Sequence, residues 1–341
     1  MKTLKEIYQA NEELNYIDSS LYSRYRVKAG LRNDNGTGVK VGLTKICDVI
    51  GYKFVHEKKY NIDGQLIYRG YPINYLVDKQ PKDRIFGFEE VAFLLIFGTL
   101  PTEEQLQEFK DYLLNFKMGP VDLQYETPNI LNALQIEVLK LYAKDPSADT
   151  DDLEERMIKG LNILASIPLF TFSYAHNKVF KSYPYPDKSL AENILCMARG
   201  NDQYTLEEAR ILDTLLMIHA DHGGGNNSTF ANVVISSTGT DIYSCISAAI
   251  GSLKGPKHGG ANCKVTNMFK AIFHEVGFTT DKLTLKKIAN RLLDKDFFDH
   301  SGLIYGIGHA IYTKSDPRAL LIQQQCEMLA KSKGQEDIYN C

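Results

Sequence analysis

Eight histidines are spread through the 341-residue chain, and four of them sit in polar, glycine-rich surroundings ill suited to packing. His219 and His222 frame the run His219-Ala220-Asp221-His222, which closes an apolar helical stretch and leads into Gly223-Gly224-Gly225-Asn226-Asn227-Ser228. Spaced three apart, they fall near one face of a last helical turn. Two readings are open: histidines placed where a helix dipole favours their cations, or a divalent-metal pair with no third ligand at motif spacing. His258 lies in Gly255-Pro256-Lys257-His258-Gly259-Gly260-Ala261-Asn262, between the end of one helical pattern and the start of the next. The positive end of a helix disfavours its cation, and a neutral imidazole can donate a hydrogen bond to a carbonyl oxygen that is becoming an enolate. A structural turn histidine is the alternative there. His309 stands in Gly306-Ile307-Gly308-His309-Ala310, ahead of Asp316-Pro317-Arg318. An arginine in the first turn of a helix faces the wrong end of the dipole and calls for an anion, for which a bidentate carboxylate is the natural partner. A solvated surface arginine is the bland alternative. Gly306 and Gly308 do not form a dinucleotide fingerprint, and the chain carries neither a nucleophile elbow nor a Walker loop.

Helices must position these groups, and their punctuation is legible. Phe88 to Phe97 stops at Gly98, with Pro101 beyond it. Thr102 with Gln105, and Thr205 with Glu208, read as capping boxes. Pro128 opens a helix through Leu131, Leu134, Val138 and Leu141, and Asp241 can cap Ile242 to Leu253. Cys263 to Phe273 and Leu283 to Leu293 carry helical patterns, and Asp316-Pro317-Arg318 reads as N-cap, N1 and N2 of a last helix. The one β signal is a small hairpin over Lys53 to Ile73, with Asp63-Gly64 expected at its turn. The fold class is therefore mainly α with a small N-terminal β-hairpin.

Composition narrows the function classes. A net charge of −3 excludes a nucleic-acid electrostatic footprint. No apolar run approaches the roughly 18 residues of a membrane span, and the first residues lack a signal-peptide core. Six cysteines, none in a CxxC pair, fit reduced thiols and a cytoplasmic location better than a disulfide framework or a zinc ribbon.

Five segments in order resemble the citrate synthase family: IDGQLIYRGYPI (Ile62–Ile73), SLAENILCM (Ser189–Met197), HADHGGGNNS (His219–Ser228), SLKGPKHGGAN (Ser252–Asn262) and GHAIYTKSDPRA (Gly308–Ala319). The likeness extends over roughly residues 40 to 330. It implies a multihelical two-domain homodimer: an N-terminal arm over 1–40, a large helical domain over 41–259 and a small domain over 260–341 that closes on the site. It also implies condensation of acetyl-CoA with oxaloacetate to citrate and CoA, a step of the tricarboxylic acid cycle, with no metal and no resident cofactor. Carried over, His258 would polarise the acetyl thioester carbonyl, and His309 would protonate the oxaloacetate carbonyl. His222 and Arg318 would bind oxaloacetate oxygens. Lys257, Leu303, Ile304, Gly306 and Gly308 would lie against acyl-CoA, with Lys254 and Lys314 as further basic candidates. Closure would exclude water from the enolate and the thioester intermediate.

The resemblance also carries a departure. The family's proton-abstracting aspartate lies farther beyond the Asp-Pro-Arg arginine than the 23 residues that follow Arg318, as do two further substrate-binding arginines. The small domain is therefore expected to be incomplete and the chain to be weakly active or inactive by itself. 2-Methylcitrate synthesis from propionyl-CoA, a non-catalytic oxaloacetate- or CoA-binding protein, and a metal hydrolase built on His219, Asp221 and His222 are the competing expectations.

Overall fold

A computed structural model describes residues 18, 20–25, 44–56, 58–121, 123, 127–309 and 311–340. The expected arm over 1–40 falls outside the described residues except for residue 18 and a short helix, α1 (Ser20–Arg24).

A three-stranded antiparallel ribbon comes first: β1 (Cys47–Val55), β2 (Lys58–Tyr68) and β3 (Tyr71–Pro72), in that order. Cys47, Val49, Leu66 and Tyr68 alternate inward, as a half-buried sheet requires. The hairpin exists, but its turn does not lie at Asp63-Gly64. That dipeptide sits inside β2, in an irregularity of the ladder, and β1 reverses into β2 beyond Val55. The alternation of apolar side chains fixed the strand but not its reversal, because Asp-Gly serves a bulge as readily as a turn. The tight turn to β3 is made by Arg69 and Gly70, at φ of 48° and 90°, the positive-φ pair that two-residue hairpins favour.

Helices follow: α2 (Ile73–Asp78), α3 (Gly87–Phe97), α4 (Glu103–Leu114), α5 (Ile130–Lys144), α6 (Leu153–His176), α7 (Leu190–Arg199) and α8 (Leu206–Ile218). A short 3-10 turn over Gly223–Gly225 then precedes α9 (Asn227–Ser236), α10 (Ile242–Leu253), α11 (Ala261–Val276), α12 (Lys282–Leu293), α13 (Pro317–Ser332) and α14 (Glu336–Asn340). The expected capping boxes at Thr102/Gln105 and Thr205/Glu208 form, and Ser189/Glu192 makes a third. Asn129, not Pro128, caps α5 by accepting from Leu131 N–H. Asp316 caps α13, with Pro317 at its first position.

The principal core gathers Leu94, Leu113, Leu114, Leu169, Phe170, Met197, Met217 and Ile218, with Leu66 and Tyr68 from the ribbon. Two helix starts inside it are capped from a distance. The Asp213 carboxylate accepts Gly87 and Phe88 N–H, and Glu89 accepts Leu190 N–H. Each buried carboxylate thus meets the positive end of a helix other than its own. A second, separate nucleus is built from Met268, Ile288 and Leu292, backed by Phe297, Phe298, Ile304 and Tyr305. Tyr312 and Leu321, later in the chain, return to the principal core. No described helix is long and apolar enough to cross a membrane.

Candidate active site

Helix α8 ends at Ile218, and the two histidines after it part company. His219 is exposed and its Nδ1 lies 2.7 Å from Leu215 O on its own helix. The intervening Asp221 spends a carboxylate oxygen on Gly223 N–H. The three side chains therefore do not converge as a metal pair would. Among the described residues no cluster of three or more His, Cys, Asp or Glu side chains is placed to hold a metal. His222 instead turns inward. Tyr68 steers it: the buried phenol shares its hydrogen between Met217 O and Asp221 O and accepts Asp221 N–H.

His309 comes to His222 from the other end of the chain, with 3.1 Å between their Nε2 atoms and their rings nearly perpendicular. The His309 ring stacks on Tyr312, and its Nδ1 accepts the backbone N–H of Ile311 (3.2 Å) and Tyr312 (3.0 Å). An Nδ1 that accepts twice carries no hydrogen, so the neutral His309 has its proton on Nε2 and donates it to His222. His222 then holds its own hydrogen on Nδ1, an atom that is buried without a partner. Burial first, then the charge of Arg318, pushes the His222 imidazole down to about 4. It is neutral at any ordinary pH.

His258 occupies the turn joining α10 to α11, its N–H on Gly255 O and its own carbonyl accepting Ala261 N–H. Its Nε2 lies 3.1 Å from Ser228 Oγ on the first turn of α9, whose amides are capped by Asn226. Burial lowers its pKa below the ordinary imidazole value. Arg318 is half-buried and finds its anion two residues away. Asp316 accepts from Nε at 3.0 Å and from Nη2 at 2.7 Å, and the guanidinium lies 5.4 Å from the Tyr312 ring centre. Burial works upward on the Asp316 carboxyl but is outweighed by the Arg318 donors, so the group ends below its usual range.

Of the residues expected on these grounds, His222, His309 and Arg318 share one locality. His258 lies on the α10–α11 turn, its ring bonded to Ser228 rather than to any of these three. Lys257 is exposed beside His258. Leu303 is exposed, Ile304 packs on the second nucleus, and Gly306 and Gly308 take left-handed backbone at φ of 90° and 98°. Ser228, Asn226 and Tyr68 were not anticipated. The Asn-Asn-Ser run after three glycines was the available signal for a capped helix start, whereas nothing local marks Tyr68. A cavity of about 190 Å³ opens beside His222, lined by Cys47, Asp48, Arg69 and Gly223–Gly225 among others. A larger one, about 700 Å³, lies over the Lys159–Asp145 ion pair and is lined by none of these histidines. Side-chain chemistry rather than size picks out the first.

Helices around a ribbon-backed histidine pair, with an Asp-Pro-Arg helix start beside it, define a class. Residues 33–341 match the family described as citrate synthase, C-terminal domain, and the chain belongs to the citrate synthase family of carbon–carbon bond-forming acyltransferases. It is 35% identical to citrate synthase of Haloferax volcanii over 80% of this chain and 70% of that protein. It is 32% identical to 2-methylcitrate synthase 1 of Corynebacterium glutamicum over the same shares, 80% and 70%. The structure of citrate synthase from Thermotoga maritima superposes with a TM-score of 0.63 at 27% identity, covering 89% of this chain and 81% of that one.

Proposed function

We propose that this chain carries the oxaloacetate- and acyl-CoA-activating groups of a citrate synthase, condensing acetyl-CoA with oxaloacetate. The observation that carries this reading is the His309–His222 contact. His309 presents a hydrogen on Nε2, fixed by two amides on Nδ1, where an oxaloacetate carbonyl oxygen would take the place of His222 as acceptor. The unpartnered Nδ1–H of His222 and the guanidinium hydrogens of Arg318 that do not go to Asp316 supply donors for the remaining oxygens. His258, kept neutral by burial, donates to the thioester carbonyl as the methyl proton leaves and the enolate forms. The enolate carbon bonds to the ketone carbon of oxaloacetate, whose oxygen receives the His309 proton. Water then cleaves the thioester to give citrate and CoA. No resident cofactor or metal enters this scheme.

The methyl proton needs a base. Asp316 is committed to Arg318 and to its own helix start, so the methyl proton falls to the aspartate that the family resemblance implies rather than to Asp316. The separate nucleus around Met268 supports a smaller unit, beginning near residue 260, that closes over acyl-CoA. Helix α9 buries none of its residues and exposes Phe230, Val233 and Val234, which supports a second copy docking there.

Propionyl-CoA is the second acyl donor to consider, because relatives named 2-methylcitrate synthases match almost as closely. The test is direct detection of citrate or 2-methylcitrate from each acyl-CoA, using chain of verified mass, with and without a family-length C-terminal extension. Turnover that appears only in the extended form supports the scheme. Turnover by residues 1–341 alone overturns the assignment of the base. Oxaloacetate binding without turnover in the extended form favours a non-catalytic binding protein.

A further inference from the structure

The loop bearing His309 and Arg318 is seated on the irregular part of the β-ribbon. The ladder pairs Ile50 with Gln65 and then Tyr52 with Asn61, so Gly51 on β1 faces a bulge of Ile62, Asp63 and Gly64 on β2. Neither glycine has left-handed backbone; what each requires is room. A Cβ on Gly51 would overlap the Ile311 carbonyl oxygen and come within 2.8 Å of its carbon. A Cβ on Gly64 would overlap the Ser315 carbonyl oxygen and come within 2.6 Å of Tyr312 Cδ1 and 3.0 Å of Pro317 Cδ. Direct bonds join the same partners. Gly64 N–H donates to Ser315 Oγ (3.1 Å), and the Tyr312 hydroxyl donates to Gln65 O (3.1 Å). Ser315 Oγ and Lys314 Nζ each donate to the Asp63 carboxylate, at 3.2 and 3.0 Å.

Each contact falls beside a residue of the site. The Ile311 carbonyl shares its peptide with Tyr312 N–H, one of the two amides that hold His309 Nδ1, and Ser315 and Pro317 flank the Asp316 cap that holds Arg318. We propose that the bulge is a docking template for this loop, and that Gly51, Asp63 and Gly64 are positioning residues that set His309 and Arg318 at their working separation. The inference rests on the reading of those two residues as oxaloacetate-holding groups. An added methyl at position 51 drives the Ile311–Tyr312 peptide away and takes the Tyr312 N–H from His309 Nδ1. One at position 64 displaces the start of α13 and with it the guanidinium. A shift of about 1 Å at such groups can cost on the order of 10²-fold.

The test compares Gly51→Ala, Gly64→Ala and Asp63→Ala with Gly119→Ala, a glycine with open space around its Cβ position. Three readouts are taken: thermal unfolding, oxaloacetate affinity by calorimetry, and the ¹⁵N imidazole resonances of His309 without substrate, which report its tautomer. In Gly51→Ala, His309 is expected to lose its single Nε2–H signature and affinity to fall by roughly 10²-fold. In Gly64→Ala affinity falls as well, and Gly119→Ala leaves tautomer and affinity unchanged. Should either buried alanine prevent folding, Asp63→Ala decides, since Asp63 is exposed; affinity about fivefold weaker with unchanged melting is expected. Folded Gly51→Ala and Asp63→Ala chains with the parent tautomer and affinity would overturn the proposal. If the parent itself binds no oxaloacetate, the functional reading fails, and the substrate-free His309 signature in Gly51→Ala still decides whether the bulge positions the loop.

Discussion

His309 hands its Nε2 hydrogen to His222 across 3.1 Å, while two amides on the far side of its ring leave no other tautomer open. A ligand oxygen entering between the rings replaces one acceptor with another, so the donor needs no reorganisation. That is the property wanted of a group that meets charge developing on an oxygen.

Burial of neutral His222 makes stability depend on pH. Its folded pKa of about 4 lies below the ordinary value of 6.5, so between those limits the unfolded chain binds the proton and the folded one does not. Stability attributable to this site is fully present above pH 6.5 and is lost as pH falls toward 4. Urea unfolding at pH 7.5 and pH 5 is expected to show the His222→Gln variant losing about 2 kcal/mol less than the parent over that interval. Equal losses would mean that the imidazole is not held neutral.

Glu89 works in the opposite direction. It is fully buried, with Oε2 unpartnered, and burial followed by the nearby Asp213 charge raises its pKa. The folded chain therefore keeps a proton that the unfolded chain releases, and stability from this group is present in acid and lost as pH rises above the ordinary glutamate range. Glu89→Gln retains an acceptor for Leu190 N–H and removes the titration. Its melting temperature relative to the parent should be higher at pH 8.5 than at pH 5.5; a constant difference would show that Glu89 is already ionised at the lower pH.

Arg318 meets Asp316 through a planar fork that lysine cannot reproduce. Arg318→Lys is expected to weaken oxaloacetate binding by about 30-fold or more, read by calorimetry. Affinity within twofold of the parent would remove Arg318 from the site.

Among the described residues, the side chain bonded to the His258 ring is Ser228, at 3.1 Å. In a form that turns over, Ser228→Ala should lower kcat about tenfold through loss of ring orientation, with little change in the KM for oxaloacetate. A change confined to KM would place Ser228 against the other substrate instead.

The helices were legible because local chemistry writes their ends. Thr102, Thr205, Asp241 and Asp316 all cap where a side-chain oxygen precedes an apolar run. His222, His258 and His309 stood out for a related reason, since polar rings among glycines have no packing role, and Arg318 stood out as a cation in the first turn of a helix. The rest was illegible because it is settled at long range. Asp63-Gly64 reads locally as a turn and becomes a bulge only because residues 311–317 lie across it. The Asp316–Arg318 pair was missed as a pair because a capping aspartate and a ligand-seeking arginine each had a sufficient local explanation. Tyr68 looks like any strand tyrosine until Met217 and Asp221 are brought to its hydroxyl.

The histidine contact closes a loop of 87 residues that contains α9 to α12. Loop closure of that span is paid for before the contact returns anything, whereas each helix between can form from neighbours along the chain. During refolding, helical circular dichroism should therefore recover before oxaloacetate binding does. A transient species with its helices in place and its two imidazoles still apart would be a folded-looking protein that cannot yet recognise its substrate.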